Sequence, residues 1–316
     1  MNQTPPRKTL TFEAARLPFT LLGALVLFLG LWQCQLSRER EPVGSRSLAS
    51  YGFSLRPCLI PEAELIGTDA RTGDVPPLDD PKTVEVAAVS DLQRLAGVYP
   101  LVPGDPVIGV SWNGHARAYP IWVITAHEVI NDTLGDRAIA VTYSPLCDSS
   151  VVFDRDIPGE RLRFGASGLV YNNNLILHDR RAARNDESLW SQLQFRAIAG
   201  PAAARGDRLT IVPSRVVTWQ QWREQYPQTT VALPDPGRRR FYRPNAFGLY
   251  FNDERLRYPV NPRPGKRFAL KDRIVAIPAG EDWSVVPADQ FLPFDDEGAH
   301  AIYALWFAWD SLHSAK

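Results

Sequence analysis

Val141-Thr142-Tyr143-Ser144-Pro145-Leu146-Cys147-Asp148-Ser149-Ser150-Val151-Val152-Phe153-Asp154-Arg155 sets two β-like runs on either side of a turn. Ala138 to Tyr143 and Val151 to Phe153 are rich in β-branched and aromatic residues, whereas Ser144, Pro145, Asp148, Ser149 and Ser150 are turn formers. The stretch predicts two strands with Cys147 on the turn between them, where a substrate or a metal could reach its thiol. Upstream, Val107 to Trp112 and Ala116 to Tyr119 flank Asn113-Gly114, a dipeptide suited to tight hairpins because both residues tolerate positive φ. A short helix is predicted at Ser90 to Leu95. Pro120 opens another through Ile121, Trp122, Ile124, His127 and Ile130, ending at Asn131-Asp132.

Downstream, short β-like pieces run from Ile139 to Leu177, with further helices expected around Glu187 to Leu193 and at Trp219 to Tyr226. Asp272 to Ile277 and Trp283 to Val286 faintly echo the residues around Asn113-Gly114, so a hairpin is expected there too. Tyr303, Trp306, Phe307 and Trp309 are expected to close the core. With many of its 27 prolines between these pieces, the chain reads as α+β, a predominantly β body with a few short helices.

The 316 residues, 45% of them hydrophobic, suffice for a real core. Lys plus Arg equals Asp plus Glu at 35 each, so no overall field draws the chain to nucleic acid, which is excluded as the main partner. Two local clusters, Arg180-Arg181 with Arg184 and Arg238 to Arg240 with Arg243, read as solvated loops. The charge-free run Leu17 to Ser37 would span about 30 Å as a helix, close to the hydrocarbon thickness of a bilayer. No small-x-small pattern closes it at Leu31-Trp32-Gln33-Cys34, and Trp32 and Gln33 stand where a lipid-modified cysteine needs small neighbours. An uncleaved transmembrane signal anchor is the favoured reading. Arg7, Lys8 and Arg16 before it nearly balance Arg38, Arg40 and Arg46 after it, so charge orients it only weakly. The expected organisation is a cytoplasmic segment 1–16, an anchor 17–37 in the cytoplasmic or inner membrane, a stalk and extended segment 38–82, and one β-rich domain 83–316 on the extracytoplasmic side.

His127-Glu128 starts a His-Glu-x-x-His zinc motif, but Asn131 occupies the last position and the motif fails. Gly165-Ala166-Ser167-Gly168 misses the final glycine of a nucleophile elbow, where Leu169 stands, and reads better as a strand with a glycine-permitted bulge or close backbone approach. Three cysteines are too few for a disulfide scaffold. Cys34 lies in the apolar run, Cys58 and Cys147 could pair, and no Cys-x-x-Cys is present. Cys147 has three readings: a thiolate helped by the N–H groups of Asp148-Ser149-Ser150 and opposed by the Asp148 carboxylate, a soft ligand for copper or zinc with His127, His178 or a carboxylate, or a plain buried cysteine. His178-Asp179-Arg180 and Glu187-Ser188-Leu189-Trp190-Ser191-Gln192 add polar groups beside a bulky aromatic.

Several separated blocks occurring in order resemble the bacterial and archaeal family of the domain of unknown function numbered 3179. They are Pro77-Leu78-Asp79-Asp80-Pro81, Ala116-Arg117-Ala118-Tyr119-Pro120, His127-Glu128-Val129-Ile130-Asn131-Asp132, Thr142-Tyr143-Ser144-Pro145-Leu146-Cys147, Phe164-Gly165-Ala166-Ser167-Gly168-Leu169, Asp179-Arg180 and Ser188-Leu189-Trp190-Ser191-Gln192. The resemblance covers most of Gly73 to Val286. It implies that His127, Glu128, Tyr143, Cys147, Ser167, Asp179, Arg180, Trp190 and Gln192 fall on signature positions. Many relatives carry a cysteine where Ser144 stands and some are catalogued as selenoproteins, which favours redox or soft-metal chemistry. The chain departs from the pattern at Ser144, and it carries extra residues between Arg180 and Ser188.

The working expectation is a membrane-anchored, thiol-dependent redox protein: Cys147 reacts, His127 with Glu128 handles protons, and Tyr143, Ser167, Asp179, Arg180, Trp190 and Gln192 line the pocket. Its small-molecule or protein redox partner is unidentified. Two alternatives stand beside it: a protein binding copper or another soft metal through His127, Cys147 and His178, and a non-catalytic envelope module.

Overall fold

The Cys147 hairpin forms the middle of a seven-stranded sheet. The computed structural model describes residues 46–86, 99–294 and 300–313. The Leu17 to Ser37 run, Cys34 and the helix expected at Ser90 to Leu95 lie outside the described residues. Strands Arg137–Ser144 and Ser149–Asp154 pair antiparallel, Val141 opposite Val152 and Ser144 opposite Ser149. Val129–Leu134 and then the short Leu78–Asp79 flank one side. Ile302–Leu305, Arg273–Ala279 and Asp282–Pro287 flank the other, the last two pairing as the expected C-terminal hairpin.

Side chains that alternate along these strands enter two different cores. Ala140, Val151 and Phe153 join Phe164, Leu177 and Trp190 of a five-stranded sheet built from Leu65–Gly67, Phe164–Tyr171, Asn174–Asp179, Leu189–Ser191 and Arg196–Ala199. Ile139, Val141 and Val152 join Ile108, Val110 and Tyr119. These last belong to the hairpin Pro106–Trp112 and His115–Pro120, in a sheet completed by Ser214–Thr218, Thr230–Ala232 and Thr83–Glu85. A central strand covered on both faces needs apolar residues at successive positions, which is why Ala138 to Tyr143 lacks simple polar alternation. Each fully buried Ile, Val or Phe contributes about 1.5–3 kcal/mol.

Among the described residues the body is predominantly β with a few short helices, and no helix is long and apolar enough to cross a membrane. Helix Trp219–Gln225 forms as expected, closed by a capping box between Thr218 and Gln221. The helix expected from Ile121 to Asn131 stops at Ile124, and Val129–Leu134 is a strand. Glu128 takes φ 60°, which ends the helical path, and the β-branched residues beyond it pair with Arg137–Ser144. The helix expected at Glu187 to Leu193 is also replaced. Leu189–Ser191 is a buried strand with Trp190 opposite Leu177, leaving no polar face for a surface helix. The expected irregularity at Gly168 is present: the register shifts between Ala166 and Val170, and at φ 82° a Cβ there would meet the Ala70 carbonyl oxygen at 2.7 Å.

Of the segment 38–82 expected as stalk and extended segment, the described part, 46–82, supplies two edge strands: Leu65 opposes Tyr171 antiparallel, and Leu78 runs parallel beside Ile130. Trp306, Phe307 and Trp309 are buried in the core shared by the central and second sheets, on helix Trp306–His313.

Candidate functional site

The His127-Glu128 pair is split by backbone geometry. The Glu128 N–H donates to the Ile124 carbonyl at 2.6 Å while its own carbonyl accepts from Tyr143 N–H at 2.9 Å, so the chain turns from helix to strand within one residue. The left-handed φ of Glu128 costs about 1–2 kcal/mol for a residue with a Cβ. It also separates the two side chains.

His127 is held on one side. Its Nδ1 meets the Pro76 carbonyl and its Nε2 the Tyr242 hydroxyl, each at 2.8 Å. A carbonyl can only accept, so Nδ1 carries the proton and Nε2 accepts from Tyr242, whose oxygen in turn accepts from Asp235 N–H. Burial lowers the His127 pKa and keeps the ring neutral.

Glu128 lines a cavity of about 250 Å³. Among the described residues its carboxyl has no hydrogen-bond or ion-pair partner, and burial alone pushes it up to about 7. A carboxyl that is half protonated at neutrality can both give and take a proton. The cavity wall is otherwise mainly apolar, with Val75, Leu146, Leu169, Leu175 and Phe247, and Ser144 and Asn173 add polar atoms. Thr68 to Arg71, in the extended segment, closes one side; Arg257 lies at the rim, 3.6 Å from Asp69.

The Asn172-Asn173 turn fixes the far wall. Both residues have positive φ, as a two-residue hairpin between Tyr171 and Asn174 requires. Asn173 exchanges hydrogen bonds with the Tyr258 backbone and Asn172 with that of Asn261, all at 2.8 to 2.9 Å. Asn173, Ser144, Arg257 and Tyr258 are site residues that sequence reading missed. The repeated asparagine between two β-runs was the available signal for the first; nothing local marks the last two.

Cys147 lies behind this wall with 0% exposure. Burial pushes its thiol up to about 12 despite hydrogen bonds with the Ser144 and Asn174 side chains, and the Asp148 carboxylate adds to the rise. Its carbonyl accepts from Leu305 N–H at 2.7 Å, tying the turn to the neighbouring strand. Both Cys147 and Cys58 are free thiols.

Tyr143, Ser167, Asp179, Arg180, Trp190 and Gln192, expected to line the pocket, do not line the Glu128 cavity. Tyr143 donates to Asp148 at 2.6 Å, and Asp148 also holds Arg273 at 2.5 Å. Ser167 donates to the Ile176 carbonyl at 2.6 Å and accepts from Leu169 N–H, bracing the bulge. Asp179 accepts from Ser188 N–H and from Arg181, and burial pushes it up to about 7. Arg180 reaches Asp79 at 2.5 Å. Trp190 sits edge-on to Phe164 in the core. Gln192 accepts from Ser149 and Asn174 and donates to Thr142, joining the central sheet to its neighbour.

The three candidate metal ligands do not converge. His127 has both ring nitrogens engaged, Cys147 contacts Ser144 and Asn174, and His178 pairs with Glu187 at 3.2 Å beside Phe53. Among the described residues no group of three or more His, Cys, Asp or Glu is placed to hold a metal ion.

Residues 72–303 match the profile of the family described as "Protein of unknown function (DUF3179)". The chain belongs to this family. No curated protein and no solved structure matches the chain. The matched span of this DUF3179 chain contains Glu128, Ser144, the Gly168 bulge, Asn173 and Arg257, and leaves only the Thr68 to Arg71 wall outside it.

Proposed function

We propose that this protein binds a small, mainly apolar molecule in the Glu128 cavity and that Glu128 exchanges a proton with it as general acid and base. The observation that carries the reading is a carboxyl on a left-handed backbone, without a hydrogen-bond or ion-pair partner among the described residues, lining a cavity whose other charged groups are Asp69, Arg71 and Arg257. Carboxylates held in a fold away from bulk water are normally paired or hydrogen-bonded, and half-buried Glu128 is neither among the described residues. In this role His127 orients the helix-to-strand turn and Cys147 supports the wall behind Ser144.

Thiol redox chemistry at Cys147 has weaker support, because a thiol pushed up to about 12 is almost wholly protonated near neutrality. Binding of a soft metal would require His127 to give up at least one of its two hydrogen bonds. The charge-free run Leu17 to Ser37 supports the accompanying proposal that the body is anchored at the extracytoplasmic face of a membrane.

The test is a small-molecule screen by thermal shift with the full chain and Glu128→Gln, followed by affinity measurements against pH. A ligand whose affinity inflects near pH 7 in the native protein, and not in Glu128→Gln, is the expected result. Ligands that bind both proteins alike at every pH would overturn the assignment to Glu128.

A further inference from the structure

From Gly237 to Asn252 the sequence reads Gly-Arg-Arg-Arg-Phe-Tyr-Arg-Pro-Asn-Ala-Phe-Gly-Leu-Tyr-Phe-Asn, with Arg238, Arg239, Arg240 and Arg243 and not one acidic residue. Arg239, Arg240 and Arg243 are exposed, and none of the four arginines forms an ion pair with a described residue. In a chain whose opposite charges balance overall, this is a local excess of positive charge without an ion-pair partner among the described residues.

The same segment exposes apolar side chains. Leu249 is 90% accessible and Phe241 45%. The Phe241 ring has Arg238 and Arg240 guanidinium carbons 4.3 and 4.8 Å from its centre, an arrangement of cations around an aromatic ring that keeps charge and apolar surface together. Buried and anchored residues lie between these exposed ones: Tyr242 bonds His127, and Tyr250 donates to the Leu146 carbonyl at 3.1 Å. The exposed groups therefore stand on a fastened stretch of chain. A large exposed leucine in the same segment as arginines that lack an ion pair among the described residues is poorly matched to water, and a phosphate polyanion would satisfy the arginines alone. An anionic bilayer surface satisfies both, with guanidinium groups at the headgroups and Leu249 and Phe241 at the acyl boundary.

We propose that Gly237 to Asn252 is a docking surface for an anionic lipid bilayer. This departs from the reading of Arg238 to Arg243 as a merely solvated cluster. The surface is separate from the Glu128 chemistry, although Phe247 of the same segment lines that cavity, so docking sets one wall of the cavity beside the bilayer.

The experiment is amide hydrogen exchange on the full chain incorporated into phosphatidylcholine nanodiscs with and without phosphatidylglycerol. Exchange across 238–251 is expected to slow with phosphatidylglycerol by at least about fivefold, roughly the contribution of one arginine near an anionic surface. Arg239→Glu with Arg243→Glu should abolish the effect, Leu249→Asp should weaken it, and Glu128→Gln should leave it unchanged. Exchange in Arg137–Ser144 serves as the check that each variant is folded. Equal exchange in the two kinds of disc would overturn the proposal. So would full protection of Leu249→Asp by phosphatidylglycerol or by soluble heparin, since either would identify a polyanion site without an apolar component.

Discussion

Replacing Glu128 by Gln should stabilise the protein in a pH-dependent way. The folded carboxyl titrates at about 7 against an ordinary 4.5, and each tenfold difference in proton affinity is worth about 1.4 kcal/mol. The ionised folded state is therefore penalised by about 3 kcal/mol relative to the unfolded chain. Because the folded pKa is raised, the folded protein holds the proton that the unfolded chain releases between about pH 4.5 and 7. Stability from this group is complete below 4.5 and is lost as the pH rises through 7. Glutamine keeps the shape and never ionises, so its advantage should be small at pH 5 and approach about 3 kcal/mol at pH 8.5, roughly 5 to 10 °C in Tm. Urea unfolding of both proteins at the two pH values, followed by tryptophan fluorescence, measures the difference. Taking that difference removes the contribution of Asp179, which burial also raises to about 7. An advantage equal at both pH values would refute the desolvated-carboxyl argument.

At pH 8, iodoacetamide should modify Cys147 about a thousandfold more slowly than a free thiol until the chain unfolds, as mass spectrometry can follow; rapid native-state labelling would contradict its burial. His127→Ala should cost about 2–4 kcal/mol by chemical denaturation, since it removes a ring bonded at both nitrogens. The His127 pKa is lowered in the fold, so its contribution is present above the ordinary 6.5 and fades as the pH falls, and the measured cost should shrink below pH 6. Gly109→Ala should destabilise by roughly 1–3 kcal/mol, because the new methyl would lie 2.2 Å from the Trp222 ring inside the core; an unchanged Tm would refute that packing.

Sequence patterns predicted elements well where one physical signal dominated. Asn113-Gly114 set a hairpin through turn chemistry, and Thr218 with Gln221 set a helix start through reciprocal capping. They failed where two elements shared an apolar run. Ile121, Trp122, Ile124, His127 and Ile130 keep helical spacing, yet Ile130 points into the core as part of a strand because one residue, Glu128, reverses the path. The helix expected at Glu187 to Leu193 fails likewise, because Trp190 pairs opposite Leu177 within its sheet and Gln192 bonds Thr142 of the central sheet. Those partners lie 13 and 50 positions away, so no local pattern carries them.

The site shows the same division. Sequence reading points to chemistry at His127, Glu128 and Cys147, and the fold gives the three different surroundings although they lie within one supersecondary unit. Cys147 drew attention because sulfur is reactive, but reactivity needs the thiolate, and the hairpin turn encloses its sulfur between Ser144 and Asn174 where charge is unfavourable. Desolvation acts on Glu128 in the same direction with a different result. It carries Glu128 to neutrality and Cys147 far beyond it, because an ordinary carboxyl starts near 4.5 and an ordinary thiol near 9. Desolvation thus brings the carboxyl into the range where it can give and take a proton near neutral pH and keeps the thiol protonated there, although the two groups lie in different surroundings.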